Sequence, residues 1–439
     1  MPRRNLFWLT LIAFISLVCY HRMPGNRFGR VLANAMDHVG RNYYQPVDDF
    51  QLFEGAMKGI MGRLDENSAY ISASKKQLFE EGISKQFGGV GFLVELDPKT
   101  KQLTVANPLP GKPAALAGIL RGDKILKIDG HSTQGMSQND AIERMRGLPK
   151  TSVTLTVLHP GQSQPADVTI VREVIQIDTV EGDSRTPSDK AWNFWLPDRD
   201  RIGYVRITGF AESERADDSG QRTTTTGDDL KKALETLTEG KLRGMVLDLR
   251  DNPGGSLKAA VEVCNLLIDS GEIVTTRGRD GRVRRAFQAS GNSHFTGFPL
   301  AVLINQNSAS ASEIVAACLQ DHQRAVVVGQ QSYGKGTVQE VTDMGESLGT
   351  LKLTVATYWR PSGRNIHRAK DDAKGAAWGV VPDEGFRVVV DDEEHARYHH
   401  WLEDRDSGRP PADRLGPAGG KEFVDRPLVK ALEYVDKTP

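Results

Sequence analysis

Two short apolar runs, Leu300 to Ile304 and Ala325 to Val328, flank a stretch of helical character, and this strand, helix, strand unit constrains the chain more than any other segment. Each run has the length of one buried strand, so the unit reads as βαβ and predicts an α/β core. The link from the first strand to the helix, Asn305-Gln306-Asn307-Ser308-Ala309-Ser310, is small and polar. It places the helix start near Ser310, with free backbone N–H groups pointing outward. A serine there can serve as a nucleophile. Ser310-Ala311-Ser312-Glu313 is equally a capping box, in which serine and glutamate satisfy orphan amides and do no chemistry. Within this segment both readings stand, and nothing in it chooses among the three serines.

Lys335 lies just after the second strand, in Ser332-Tyr333-Gly334-Lys335-Gly336-Thr337. Glycines on both sides let the backbone turn tightly and carry the ammonium inward. A lysine can act as general base if desolvation lowers its pKa from about 10.4 towards neutrality. Serine with lysine is an attested catalytic pairing. A rival reading takes Gly329 to Lys335 as the start of a phosphate-cradling loop, but Gly336 stands where that motif needs Ser or Thr. Thr337 to Val341 moreover reads as a strand where the motif needs a helix.

The run Ser308 to Glu313 and the turn Tyr333 to Gly336 resemble the SASASE-like and FGKG-like segments of the carboxy-terminal processing peptidases, or tail-specific proteases. The resemblance implies that Ser310 is the nucleophile, Lys335 the general base and Gln339 the residue that orients the lysine. Ser308 and Ser312 are then structural, and Asp321 is a helix-end contact. In the same family the turn Asn252-Pro253-Gly254-Gly255, which follows the apolar run from Gly244, supplies the oxyanion hole. That implies donation from the amide of Gly254 or Gly255 together with that of Ala311, with Asp248 and Arg250 bracing the turn. Leu64 to Tyr70, Pro361 to Ile366 and Gly379 to Asp383 also resemble family stretches, although Glu66 replaces a proline and Lys370 to Trp378 departs in length. The implied fold is an α/β protease core of the ββα, crotonase/Clp-protease-like type, with an inserted PDZ domain and an N-terminal helical region.

Phe87-Gly88-Gly89-Val90-Gly91-Phe92 precedes a strand expected over Val90 to Leu96, and such a glycine loop can converge its amides on an anion. With Asn107 to Gly118 and Leu120 to Gly130 it resembles a PDZ domain over Phe87 to Glu173. The resemblance implies β-augmentation: a substrate tail adds a strand to the sheet edge, its carboxylate held at Gly89, Val90, Gly91 and Phe92. Protein substrates with apolar C-terminal tails are the expected partners. A catalytically silent PDZ adaptor is the alternative function.

The expected domains are a signal sequence or anchor (1–27), a helical region (28–86), the PDZ domain (87–173), the protease core (174–400), and a linker with a last helix (401–439), within 439 residues. Arg3 and Arg4 precede the apolar run Leu6 to Tyr20, the layout of a signal segment. It is short for a comfortable membrane span of about 20 residues. It reads as an uncleaved or late-cleaved anchor of an exported, periplasmic protein attached at the inner membrane. With 56 Lys+Arg against 57 Asp+Glu, the charge balance does not point to nucleic acid. Cys264 and Cys318 read as core residues. His322 and His367 lack a pairing for a Ser-His triad, and no metal or cofactor is implied. A homo-oligomer or an activator protein is a further partner class. Residues 211–227 read as a mobile surface loop.

Overall fold

The computed structural model describes residues 3–22, 26–97, 100–109, 111–186, 191–212, 224–291, 293, 295–345, 347–368, 378–406 and 423–438. Most of the loop at 211–227, most of the insertion at 370–378 and all of the linker at 407–420 lie outside the described residues. The chain divides into two compact units, Met1–Lys76 with Glu340–Thr354, and Gln77–Gln339 with Val355–Pro439.

In the first unit, helices span Arg3–Arg22, Arg27–Asn42 and Asp49–Met61, the latter two N-capped by Asn26 and Asp48. Among the described residues no helix is long and apolar enough to cross a membrane. Asp65 organises the turn after these helices. Its carboxylate accepts from the amides of Asn67 and Ser68 and from the hydroxyls of Ser68 and Thr354.

The second unit is built on a mainly parallel sheet in the order Val180–Glu181, Ile202–Ile207, Gly244–Asp248, Leu300–Ile304, Val326–Gly329. Three of its four pairings are parallel, and both faces are covered, which is why the strands read as continuous apolar runs. Leu300, Val302 and Ile304 face one core with the helices Thr226–Glu239, Leu257–Leu267 and Ala311–Asp321. Ala301 and Leu303 face a second core, closed by Leu428, Ala431, Leu432 and Val435 of the helix Arg426–Lys437. Cys264 and Cys318 are fully buried in the first core.

The PDZ sheet runs Phe92–Leu96, Leu103–Pro108, Lys124–Ile128, Ser152–Leu158, Ala166–Val171 around its own apolar cluster. Phe92–Leu96 forms one edge of it. The sequence suggested one strand over Val90 to Leu96, but the chain breaks there. Gln86–Gly89 forms a separate antiparallel ladder with Glu173–Gln176, and the turn follows at Gly91, with φ +83°. A Cβ at Gly91 would lie 2.4 Å from the Lys112 Cβ, so only glycine lets the backbone pass. At the other flank of the 211–227 loop, Thr225 and Asp228 form a capping box, so the next helix begins at Thr226 rather than near Asp228.

Candidate active site

The strand Leu300–Ile304 delivers the segment Asn305 to Ser310 to the end of the sheet, and the helix Ala311–Asp321 leaves from it. Its three serines differ sharply. The Ser308 hydroxyl donates to the Leu249 carbonyl (2.8 Å) and accepts from the Asn305 amide (2.9 Å), while the Ser312 hydroxyl donates to the Asn252 carbonyl (2.9 Å). Ser310 instead sits at φ +56°, ψ −113°, a conformation that costs an L residue on the order of 1–3 kcal/mol. A serine held on a strained strand-to-helix turn is the geometry that lifts a nucleophilic oxygen clear of its own backbone.

The strain is fixed from the neighbouring turn. Asp251 and Gly254 also adopt positive φ, +58° and +98°. A Cβ on Gly254 would stand 2.7 Å from the Ala309 carbonyl, 2.8 Å from the Ser310 Cβ and 2.9 Å from the Ala311 nitrogen. The turn is therefore pressed against the serine. Asn252 knits the two: its carbonyl accepts from the Ala309 amide (3.0 Å), and its side chain donates to the Ile207 carbonyl (2.7 Å). The same side chain accepts from the Gly254 amide (2.8 Å). Behind the turn, Arg250 is buried between Asp248 (2.6 Å) and Asp425 (2.8 Å), and the Tyr204 hydroxyl donates to Asp248 (2.7 Å). Burial alone would raise the Asp248 pKa, but the Arg250 charge and hydrogen bonds hold it below the usual carboxylate value.

The backbones of Lys335 and Ser310 are tied together by Glu313. One oxygen of this fully buried carboxylate accepts from the backbone amides of both Ser310 (2.8 Å) and Lys335 (2.8 Å). The other accepts from the Ser332 hydroxyl (2.6 Å) and the Gly334 amide (2.7 Å). The backbones of Ser310 and Lys335 thus sit within two hydrogen-bond lengths of each other. Burial raises the Glu313 pKa, and the four donors pull against it. Read from sequence as half of a capping box, Glu313 caps the helix and also ties down the lysine turn. The flanking glycines are needed for that turn: a Cβ on Gly336 would fall 2.1 Å from the His367 nitrogen, and one on Gly334 2.7 Å from the Trp378 ring. Gln339 donates to the Thr337 hydroxyl (2.9 Å) on the strand Thr337–Asp343, the strand that a phosphate loop would not have.

The other expected residues are placed as follows. Asp321 pairs with Arg360 (2.6 Å) at the helix end. His322 Nε2 contacts the Glu272 carbonyl (2.7 Å). In the PDZ unit, Gly89 lies in the separate ladder and Phe92 begins the edge strand. Between them the carbonyls of Val90 and Gly91 accept from Ala114 (2.8 Å) and Leu109 (2.9 Å).

Comparison with known proteins bears on this architecture. The model of "Peptidase family S41" matches residues 201–384, and that of "PDZ domain" matches residues 82–158. A carboxy-terminal-processing protease of Bartonella bacilliformis is 38% identical over 357 residues, covering 81% of this chain and 74% of that protein. The carboxy-terminal processing protease CtpA of Bacillus subtilis is 32% identical, covering 92% and 76%. Among solved structures, a photosystem II D1 C-terminal processing protease aligns at 25% identity and a TM-score of 0.45, over 83% of this chain and 93% of that one. The protein is a serine-type peptidase carrying a PDZ domain. Within that class it belongs to the carboxy-terminal processing protease family.

Proposed function

We propose that the chain is an exported endopeptidase that selects protein substrates by their apolar C-terminal tails and cleaves them with Ser310, Lys335 and Gln339. The observation that carries this reading is the strained Ser310 beside two serines whose hydroxyls are already committed to backbone. Neutral Lys335 takes the Ser310 proton as the hydroxyl attacks the scissile carbonyl. The resulting ammonium protonates the departing amine, and water then hydrolyses the acyl-enzyme. Gln339 orients the lysine. The Gly254 amide is committed to Asn252, which favours the amides of Gly255 and Ala311 as the oxyanion donors. The edge position of Phe92–Leu96 supports tail capture by strand addition beside Gly89 to Phe92, with the Val94 carbonyl, which accepts from Gln138 Nε2 (2.7 Å), released as the tail pairs. The basic, apolar N-terminus supports export to the periplasm with attachment through residues 6–20, which fractionation of cells expressing the full chain tests.

The decisive experiment is cleavage of an unfolded protein bearing an apolar tail by residues 28–439 and by their Ser310→Ala and Lys335→Ala variants. Cleavage by the parent alone is expected, with each variant slowed by at least about 10³-fold. Equal cutting by all three overturns the assignment, and tail binding without cutting favours the adaptor.

A further inference from the structure

Asp251 is the residue just before Asn252 of the oxyanion turn, and its side chain meets a helix far along the chain. The helix Asp392–Asp406 carries His395 and His399 one turn apart, so both rings project from one face. His395 Nε2 lies 2.9 Å from Asp251 Oδ1, His399 Nε2 lies 3.4 Å from Asp251 Oδ2, and the two Nε2 atoms are 3.2 Å apart. All three ligating groups fall within 4.8 Å of one another, partly buried at Asp251 and His395 and more open at His399.

The carboxylate is prepared for a further task. Its Oδ1 also accepts from the side-chain amides of Asn305 (2.9 Å) and Asn307 (2.7 Å), which fix its orientation. Its Oδ2 is buried and, among the described residues, receives no hydrogen bond. Outer amides that orient one carboxylate oxygen while the other is left for a ligand are the usual support of a metal site. The spacing agrees as well. Zinc–nitrogen distances of about 2.0–2.1 Å in a tetrahedron place two ligand nitrogens about 3.3 Å apart. A small cleft lined by Arg250, Asn305, Gln330, Glu394, His395 and Tyr398 borders the cluster at His395.

We propose that Asp251, His395 and His399 bind one divalent transition-metal ion, zinc first, with a fourth position left to water. Two imidazoles and a carboxylate suit zinc or its first-row neighbours rather than magnesium or calcium, which prefer all-oxygen shells. The ion takes no part in peptide cleavage. It fastens the helix Asp392–Asp406 to the turn whose next residue, Asn252, holds Ala309 and Ser312 beside the nucleophile. Metal availability thereby sets how firmly that turn is held.

The test uses the full chain without a histidine tag, freed of metal by a chelator, and titrated with Co²⁺. One equivalent is expected to give the intense visible absorption of a tetrahedral cobalt site, displaced by Zn²⁺. The His395→Ala/His399→Ala variant should bind Zn²⁺ more than about 100-fold more weakly, beyond what loss of outer-shell partners alone costs. Zn²⁺ should raise the thermal midpoint of the parent and leave that of the variant unmoved. Equal Zn²⁺ affinity in parent and variant, or only pale six-coordinate cobalt in the parent, overturns the proposal. If circular dichroism shows the double variant unfolded, His399→Ala alone decides by the same titration, because that side chain is 47% exposed and its loss leaves little unfilled space. None of these readouts depends on proteolysis.

Discussion

Glu313 shows how one side chain can serve two segments at once. An ionised carboxylate offers acceptors only, and here four donors from three loop positions and the helix N-terminus converge on it. A glutamine has one acceptor oxygen, and its amide would point hydrogens at two of those donors. Each buried donor left unmet costs about 1–3 kcal/mol. Glu313→Gln should therefore lower stability by about 2–6 kcal/mol in urea titration. With Ser310 and Lys335 in their proposed roles it should also cut kcat by about 10–100-fold, since a small misplacement of reacting groups suffices for that. Full activity in the variant would mean that the Ser310 and Lys335 backbones hold their places without the shared carboxylate. The capping-box pattern in the sequence announces a glutamate bonded to the serine amide. It says nothing of Gly334 and Lys335, because their approach depends on a parallel strand pairing made at long range.

At the scale of elements, the buried Asp248, Arg250, Asp425 cluster joins the end of the strand Gly244–Asp248 to the N-cap of the helix Arg426–Lys437. Asp425 accepts from the Leu428 amide (3.1 Å) while pairing with Arg250. Removing the arginine leaves two buried carboxylates unpaired, so Arg250→Ala should cost about 3–5 kcal/mol. The pH dependence has a definite sign. The folded Asp248 pKa lies below its ordinary 3.8, so its contribution is present above that value and disappears as pH falls through the depressed one. The parent should hold this share of its stability from neutrality to about pH 4, whereas in Arg250→Ala burial without the arginine raises the folded pKa, so the cost of the buried charge should be relieved as pH falls and the gap between the two urea midpoints should narrow in acid. A gap between the two proteins that is the same at about pH 7 and at about pH 4 would contradict the pairing. The same elements show what was legible in advance. Leu300 to Ile304 and the helix from Ser310 could be read within a residue or so, since apolar runs and small-polar links are local signals. The last helix could be read as a helix, but not as the cover of the sheet, because an amphipathic face does not name its partner. The strain at Ser310 and the meeting of Asp251 with His395 were likewise beyond reach, being set by contacts across the fold.

For the molecule as a whole, the open question is whether tail binding only tethers a substrate or also promotes cleavage. A ligand shifts a conformational equilibrium only by its differential affinity for the two states. A short apolar peptide with a free carboxylate, added in trans, separates the alternatives. If the PDZ domain merely tethers, the peptide competes with a tailed substrate and leaves an untailed one untouched. If tail binding favours the aligned Ser310 and Lys335 arrangement, the same peptide accelerates cleavage of the untailed substrate while still competing with the tailed one. We expect the second pattern, with an acceleration of about 5–150-fold, the span of ordinary coupling free energies. The amidated peptide should do neither if, as proposed, the tail's carboxylate meets backbone amides near Gly89 to Phe92. Initial rates with both substrates, at saturating peptide as established by calorimetry, provide the measurement. An untailed rate that stays flat at saturation removes the activating role and leaves the PDZ domain as a tether.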